Sequence, residues 1–200
     1  LCAILTLAFV RFPKPAVTAE GQAGRGSLWR AAGYGWRYIS ARPGLLGFLV
    51  VFALSNFLFG LMSPLLAPMI LEIADAQVFG ILSSLLGLGM LVGTLVVSAW
   101  GGPKRRVHGV LAGMAVMGGF IMLFGIRPWI PLMAVAGFGS MLMSPIVNAS
   151  SQALWQSKVA VDVQGRVFAV RRMIAWSVMP LAYVMPGPLA DHVFNPLLVE

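Results

Sequence analysis

The 200-residue sequence is short of nearly every group that carries covalent chemistry. Cysteine occurs once, at Cys2, which excludes an internal disulfide framework and a cysteine-ligated metal. Histidine occurs twice, and His108 and His192 fall at the edges of apolar runs on opposite faces of the predicted bundle, so they cannot share a metal ion. No Ser, His and acid trio, HExxH or glycine-rich phosphate loop is present. Hydrolysis or group transfer needs an activated nucleophile or a metal, so the sequence predicts a protein that is not an enzyme and uses neither cofactor nor metal. Acids are scarce as well, six Asp and Glu against fourteen Lys and Arg.

Charge of either sign is missing altogether from five long stretches: 43–71, 76–103, 107–126, 128–157 and 173–190. Each is 18 to 30 residues long, and a hydrocarbon core needs roughly 20 apolar residues to be crossed by a helix. With 59% hydrophobic residues and only 10% charged, the composition excludes an ordinary soluble domain. The fold class predicted is all-α, a polytopic integral membrane protein with five complete spans.

The loops between these runs must alternate between the two faces of a bilayer. One face receives thirteen of the fourteen basic residues: Arg11, Lys14, Arg25, Arg30, Arg37 and Arg42, then Lys104, Arg105 and Arg106, then Lys158, Arg166, Arg171 and Arg172. The other receives Arg127 with Glu72, Asp75, Asp191 and Glu200. The positive-inside tendency makes the first face cytoplasmic. Such alternation also accounts for the net charge of +8 without nucleic acid, which would call for basic residues gathered on one surface with interleaved aromatics.

Four segments are expected. Residues 1–10 read as the tail of a preceding helix, lacking the basic start and cleavage site of a signal peptide. Residues 11–42 read as a cytoplasmic loop, irregular at Pro13, Pro15, Gly21, Gly24 and Gly26 and helical from Ser27. Trp29 and Trp36 beside Arg30 and Arg37 suit a basic amphipathic helix in the headgroup layer, with a simple lead-in to the next span as the alternative. Residues 43–190 form the five-span domain, and 191–200 an external loop.

Within the spans, Gly80, Ser83, Ser84, Gly87 and Gly93 recur at three- or four-residue intervals and predict a face for close helix packing. Pro64, Pro68, Pro145, Pro180 and Pro186 predict bends, which membranes tolerate where neighbouring protein or a wet cavity satisfies the freed carbonyls. Polar side chains are few. Asn56 is expected to face the bundle interior, as an interhelical hydrogen bond or as pocket lining. Asn148 and Gln152 lie one turn apart with Ser144 another turn back, forming either a wet inner stripe or the approach to the cytoplasmic surface. These amides are the candidate residues for a substrate pathway. No titratable group is expected deep in any span, so a proton-relay carboxylate is not predicted in this stretch.

Two passages are similar to a known family. Trp100-Gly101-Gly102-Pro103-Lys104-Arg105-Arg106 resembles the loop of the major facilitator superfamily in which a basic cluster follows a glycine-rich helix. Gln164-Gly165-Arg166-Val167-Phe168-Ala169, with Arg171, Pro180 and Gly187-Pro188-Leu189-Ala190-Asp191, resembles the drug and siderophore efflux branch, which contains macrolide exporters and the enterobactin exporter. The resemblance implies the C-terminal six-helix half of a twelve-helix fold, from the tail of a sixth helix through the eleventh. It implies proton-coupled efflux of an amphiphilic small molecule by alternating access in the plasma (inner) membrane. The partners implied are that small molecule, protons, membrane lipids and an N-terminal half carrying the coupling residue. Trp100 stands where the family has an acid, so Lys104 to Arg106 lack that partner and are expected to act mainly as a lipid anchor. Arg166 and Arg171 are the gating candidates, with anchoring as the alternative; Asp162 could pair with Arg166 or reach another loop. A non-transporting receptor or scaffold on the same helices is the competing expectation.

Overall fold

A computed structural model describes residues 28–189; the expected helix tail at 1–10, the start of the cytoplasmic loop and the external loop at 191–200 lie outside the described residues. Seven helices and their short connections make up that stretch: α1 Leu28–Ser40, α2 Pro43–Ile73, α3 Ala76–Trp100, α4 Arg106–Ile126, α5 Ile130–Lys158, α6 Gln164–Val184 and the single turn α7 Pro186–Leu189. Among the described residues there is no strand. Helices α2 to α6 are each long and apolar enough to cross a membrane, with mean hydropathy of 1.3 to 2.3 over their best windows. The protein is an all-α polytopic membrane protein.

Local chemistry sets the helix boundaries. Pro43 opens α2, where its missing N–H removes only a donor that has no partner inside the helix. The Asp75 carboxylate caps α3 by accepting from the Val78 N–H at 2.9 Å. Gly101 and Gly102 turn the chain out of α3 at φ 77° and 82°, a left-handed backbone that side chains with a Cβ resist. Pro64 and Pro68 lie inside α2, Pro145 inside α5 and Pro180 inside α6.

The expected last span differs at both ends. It begins at Gln164, well ahead of the charge-free stretch at Met173, and stops at Val184. Arg166, Arg171 and Arg172 therefore ride on the first half of a spanning helix and not in a loop. Arginine is a good helix former and its long stem reaches toward polar surroundings, so charge did not stop the helix.

Two groups of helices make up the bundle. In the first, α5 is sandwiched between α3 and α4. Gly89 and Gly93 of α3 let that helix press on the backbone of α5; a Cβ on Gly89 would meet the Phe138 carbonyl oxygen at 2.5 Å, and one on Gly93 would strike the Leu142 carbonyl. On the other flank Gly113 lies under Val147 and Gly139 under the Phe120 ring. The small-residue face expected on α3 is thus corrected: Gly80 and Gly87 have open space around them, Ser83 and Ser84 are exposed, and only Gly93 of that set packs. The spacing that matters is Gly89 to Gly93, one helical turn, because it faces α5.

In the second group α2 runs parallel to α6, with Gly60 under Ala182, and α1 lies across α6 with Gly35 under Val170. Tyr38, Ile39, Leu45, Leu49, Trp155, Val159, Val163, Val167 and Val170 form one buried cluster that ties this group to the end of α5. A smaller cluster, Ile70, Leu82 and Met133, ties the groups together at the opposite end. The Tyr38 hydroxyl reaches the Lys158 carbonyl at 3.5 Å and Arg106 donates to the Ala153 carbonyl at 2.6 Å, so the ends bearing Arg37, Arg42, Arg106 and Lys158 all come together.

Candidate functional site

Between its two closing clusters the seam opens into two cavities. The first, about 460 Å³, lies among α2, α4, α5 and α6, and the second, about 330 Å³, among α2, α3, α4 and α5. Phe59 of α2 and Met141 of α5 border both. Each volume is within the roughly 300–1,000 Å³ of small-molecule sites.

The first cavity is lined by several polar residues of the spans. Asn56, Asn148 and Gln152, all expected on a substrate pathway, line it together with Ser55, Ser144, Arg171 and Arg172. Asn56 fulfils both of its alternatives, because it faces the cavity while its Nδ2 donates to the Ala175 carbonyl at 2.9 Å across the α2–α6 contact. That bond ties α2 to the backbone of α6 one residue ahead of Trp176, whose carbonyl loses its usual helical donor to Pro180. Asn148 turns its amide back along α5, donating to the Ser144 carbonyl at 2.9 Å and lying 3.4 Å from the Ser144 hydroxyl.

Arg171 is fixed by neutral groups. One terminal nitrogen donates to the Gln152 side-chain oxygen at 3.2 Å and the other to the Ser151 hydroxyl at 3.0 Å. Its guanidinium carbon lies 4.9 Å from the ring centre of Trp155, which is itself fully buried. Serine, glutamine and indole hold the guanidinium in place without neutralising it, and these bonds engage only two of its five N–H donors. Arg166, the other gating candidate, does not border either cavity; it lies on the part of α6 that meets α1, its carbonyl oxygen facing Gly35.

The second cavity is apolar. Met62, Leu66 and Ile70 of α2 face Phe79, Leu82 and Leu86 of α3, with Ile121 and Phe124 of α4 across from them. Ser63, Ser83 and Ser140 are its hydroxyls, and the Ser140 hydroxyl already donates to the Gly137 carbonyl at 2.8 Å.

Reading the sequence for polar residues alone missed most of the wall. Phe52, Phe59, Met114, Met117, Met141, Phe168, Trp176 and Met179 line the first cavity. A signal existed: Phe52, Ser55, Asn56 and Phe59 follow one another at helical spacing, as do Met141, Ser144, Asn148 and Gln152. Extending each amide's stripe by one turn finds the aromatic and methionine neighbours. Arg171 and Arg172 escape a reading for charge-free runs, because a helix that carries arginines toward a cavity looks like a loop in sequence.

Comparison with known proteins gives a partial likeness. Over 109 residues the chain is 28% identical to Macrolide efflux protein A of Streptococcus pyogenes, covering 52% of this chain and 26% of that protein. The protein of the same name from serotype M6 of that organism matches to the same extent. The matched stretch is thus about a quarter of the length of these curated relatives. No protein family matches the chain, and no solved structure does.

Proposed function

We propose that the chain is one half of a secondary transporter that exports an amphiphilic small molecule by alternating access. The observation that carries this reading is the seam. Two internally packed helix groups meet across cavities, and the larger is lined by Asn56, Asn148, Gln152, Arg171 and Arg172, the polar lining that a substrate path between moving parts requires. Methionine and aromatic walls adapt to ligands of varied shape, which suits efflux of apolar compounds. The likeness to a macrolide efflux protein supports the same class.

In this reading the end with Lys104 to Arg106 and Lys158 faces the cytoplasm of the plasma (inner) membrane, α1 lies in the headgroup layer with Trp29 outward, and 43–190 is the transmembrane domain. Proton entry drives export, through a coupling carboxylate in a further, N-terminal set of helices. Arg171 serves as the gating residue at the cavity and Arg166 supports it at the α1 contact.

The test is uptake of a fluorescent amphiphile by inside-out vesicles containing the full-length protein. Accumulation should follow an imposed proton gradient and stop when the gradient is collapsed; absence of gradient-dependent uptake would remove the transport reading in favour of a receptor or scaffold. Cysteines at Asp75 and Ser157 should label from opposite sides of the membrane, and labelling from one side would undo the topology.

A further inference from the structure

The two cavities differ in chemistry and share a boundary. At one end are Arg171 and Arg172 with Asn148 and Gln152; at the other are leucine, isoleucine and phenylalanine side chains; Phe59 and Met141 border both. Among the described residues no Asp or Glu lines either cavity. Arg171 is held in place by Ser151, Gln152 and the Trp155 ring, all neutral, with N–H donors to spare.

We propose that the two cavities together form a single binding site for an amphiphile with an anionic head group. Arg171 and Arg172 take the head, and the apolar body extends past Phe59 and Met141 into the second cavity. A carboxylate or phosphate head accepts from the planar guanidinium in the two-pronged geometry that arginine presents, while an ammonium head would meet like charge there and no carboxylate to offset it. An apolar body gains by leaving water for a wall of leucine, isoleucine and phenylalanine. The proposal rests on the transporter reading for the direction of movement, but not for the binding itself.

Two photoreactive probes test it, each an alkyl chain of about sixteen carbons bearing a diazirine near its free end, long enough to pass the roughly 1.5 Å per residue that separates Gln152 from Met141, one ending in a carboxylate and the other in an ammonium. They are applied to membranes containing the full-length protein, and labelled peptides are mapped. The carboxylate probe should label the α2 and α3 segments that line the second cavity well above the ammonium probe. Arg171→Gln should reduce that labelling by about tenfold, the size expected for losing a charge-assisted hydrogen bond. Arg171→Lys, which keeps the charge but not the two-pronged geometry, should lose less labelling than Arg171→Gln, and an unchanged melting temperature in both variants guards against a folding defect. Equal labelling by both probes, preference for the ammonium probe, or undiminished carboxylate labelling in Arg171→Gln would overturn the proposal. Gradient-driven export with no anion preference overturns this inference alone; anion-selective labelling without export supports the site and removes the transport reading instead.

Discussion

The α3–α5–α4 group and the seam beside it are built from the same apolar residue types, yet one is closed and the other hollow. Where glycine faces glycine-sized space, as Gly89 and Gly93 do against the α5 backbone, no gap remains for a ligand. Where Phe59, Met141, Phe168 and Trp176 meet polar Asn56, Asn148 and Gln152, the side chains hold the helices apart around about 460 Å³. Lipid supplies no hydrophobic drive for helices to associate, so close backbone approach is what makes the group a unit, and its lack is what leaves space within the seam.

That contrast breaks most readily at the glycines. Gly93→Leu should cost about 1–3 kcal/mol of stability or more, because its side chain meets a backbone carbonyl that cannot rotate aside. The measurement is thermal unfolding in detergent together with membrane abundance. A stable Gly93→Leu protein would mean that the α3–α5 contact does not unite the group.

Next in size is the seam's charge. Arg171→Gln should lower export about tenfold at matched abundance, with melting temperature little changed, since the residue lines space more than it fills it. Arg166→Lys and Arg105→Lys should both export near the normal rate. Near-normal export by Arg171→Gln would instead reduce the cavity arginine to a topology signal.

Smaller effects sharpen the boundary between the regions. Asn56→Ala should cost only about 0.6 kcal/mol, the average for an interhelical hydrogen bond in a membrane; a loss several times larger would move Asn56 from lining to framework. Gly87→Leu, with open space around it, should change stability by no more than about 0.5 kcal/mol. If it destabilises as Gly93→Leu does, the exposed face of α3 is covered by another element.

The division between closed and hollow regions was only partly legible in the sequence. Charge-free runs match four of the five long helices to within three residues at each end, because length and apolarity are what a bilayer selects. The fifth was displaced because Arg166, Arg171 and Arg172 read as loop, whereas a cavity at their side lets a helix carry them. Asn56, Asn148 and Gln152 were legible as polar positions that a cavity would collect, since an amide in lipid is costly, and all three line the first cavity, Asn148 and Gln152 at its exposed side. Which glycines pack was not: Gly80, Gly87 and Gly93 have similar spacing, and only the rotation of α3 against α5 separates them. Nor could the walls of the cavities be read, because a methionine facing a void and one facing lipid look alike in sequence.

The most direct test is to fill the seam and leave the glycine contacts alone. Ser144 lines the first cavity on α5, apart from the residues that touch α3 or close the two ends. Export by Ser144→Trp, compared with wild type at equal abundance and equal melting temperature, should fall to background because the indole occupies the substrate's space. Export at the wild-type rate would contradict the account, since the path could not then run through the cavity between the two helix groups.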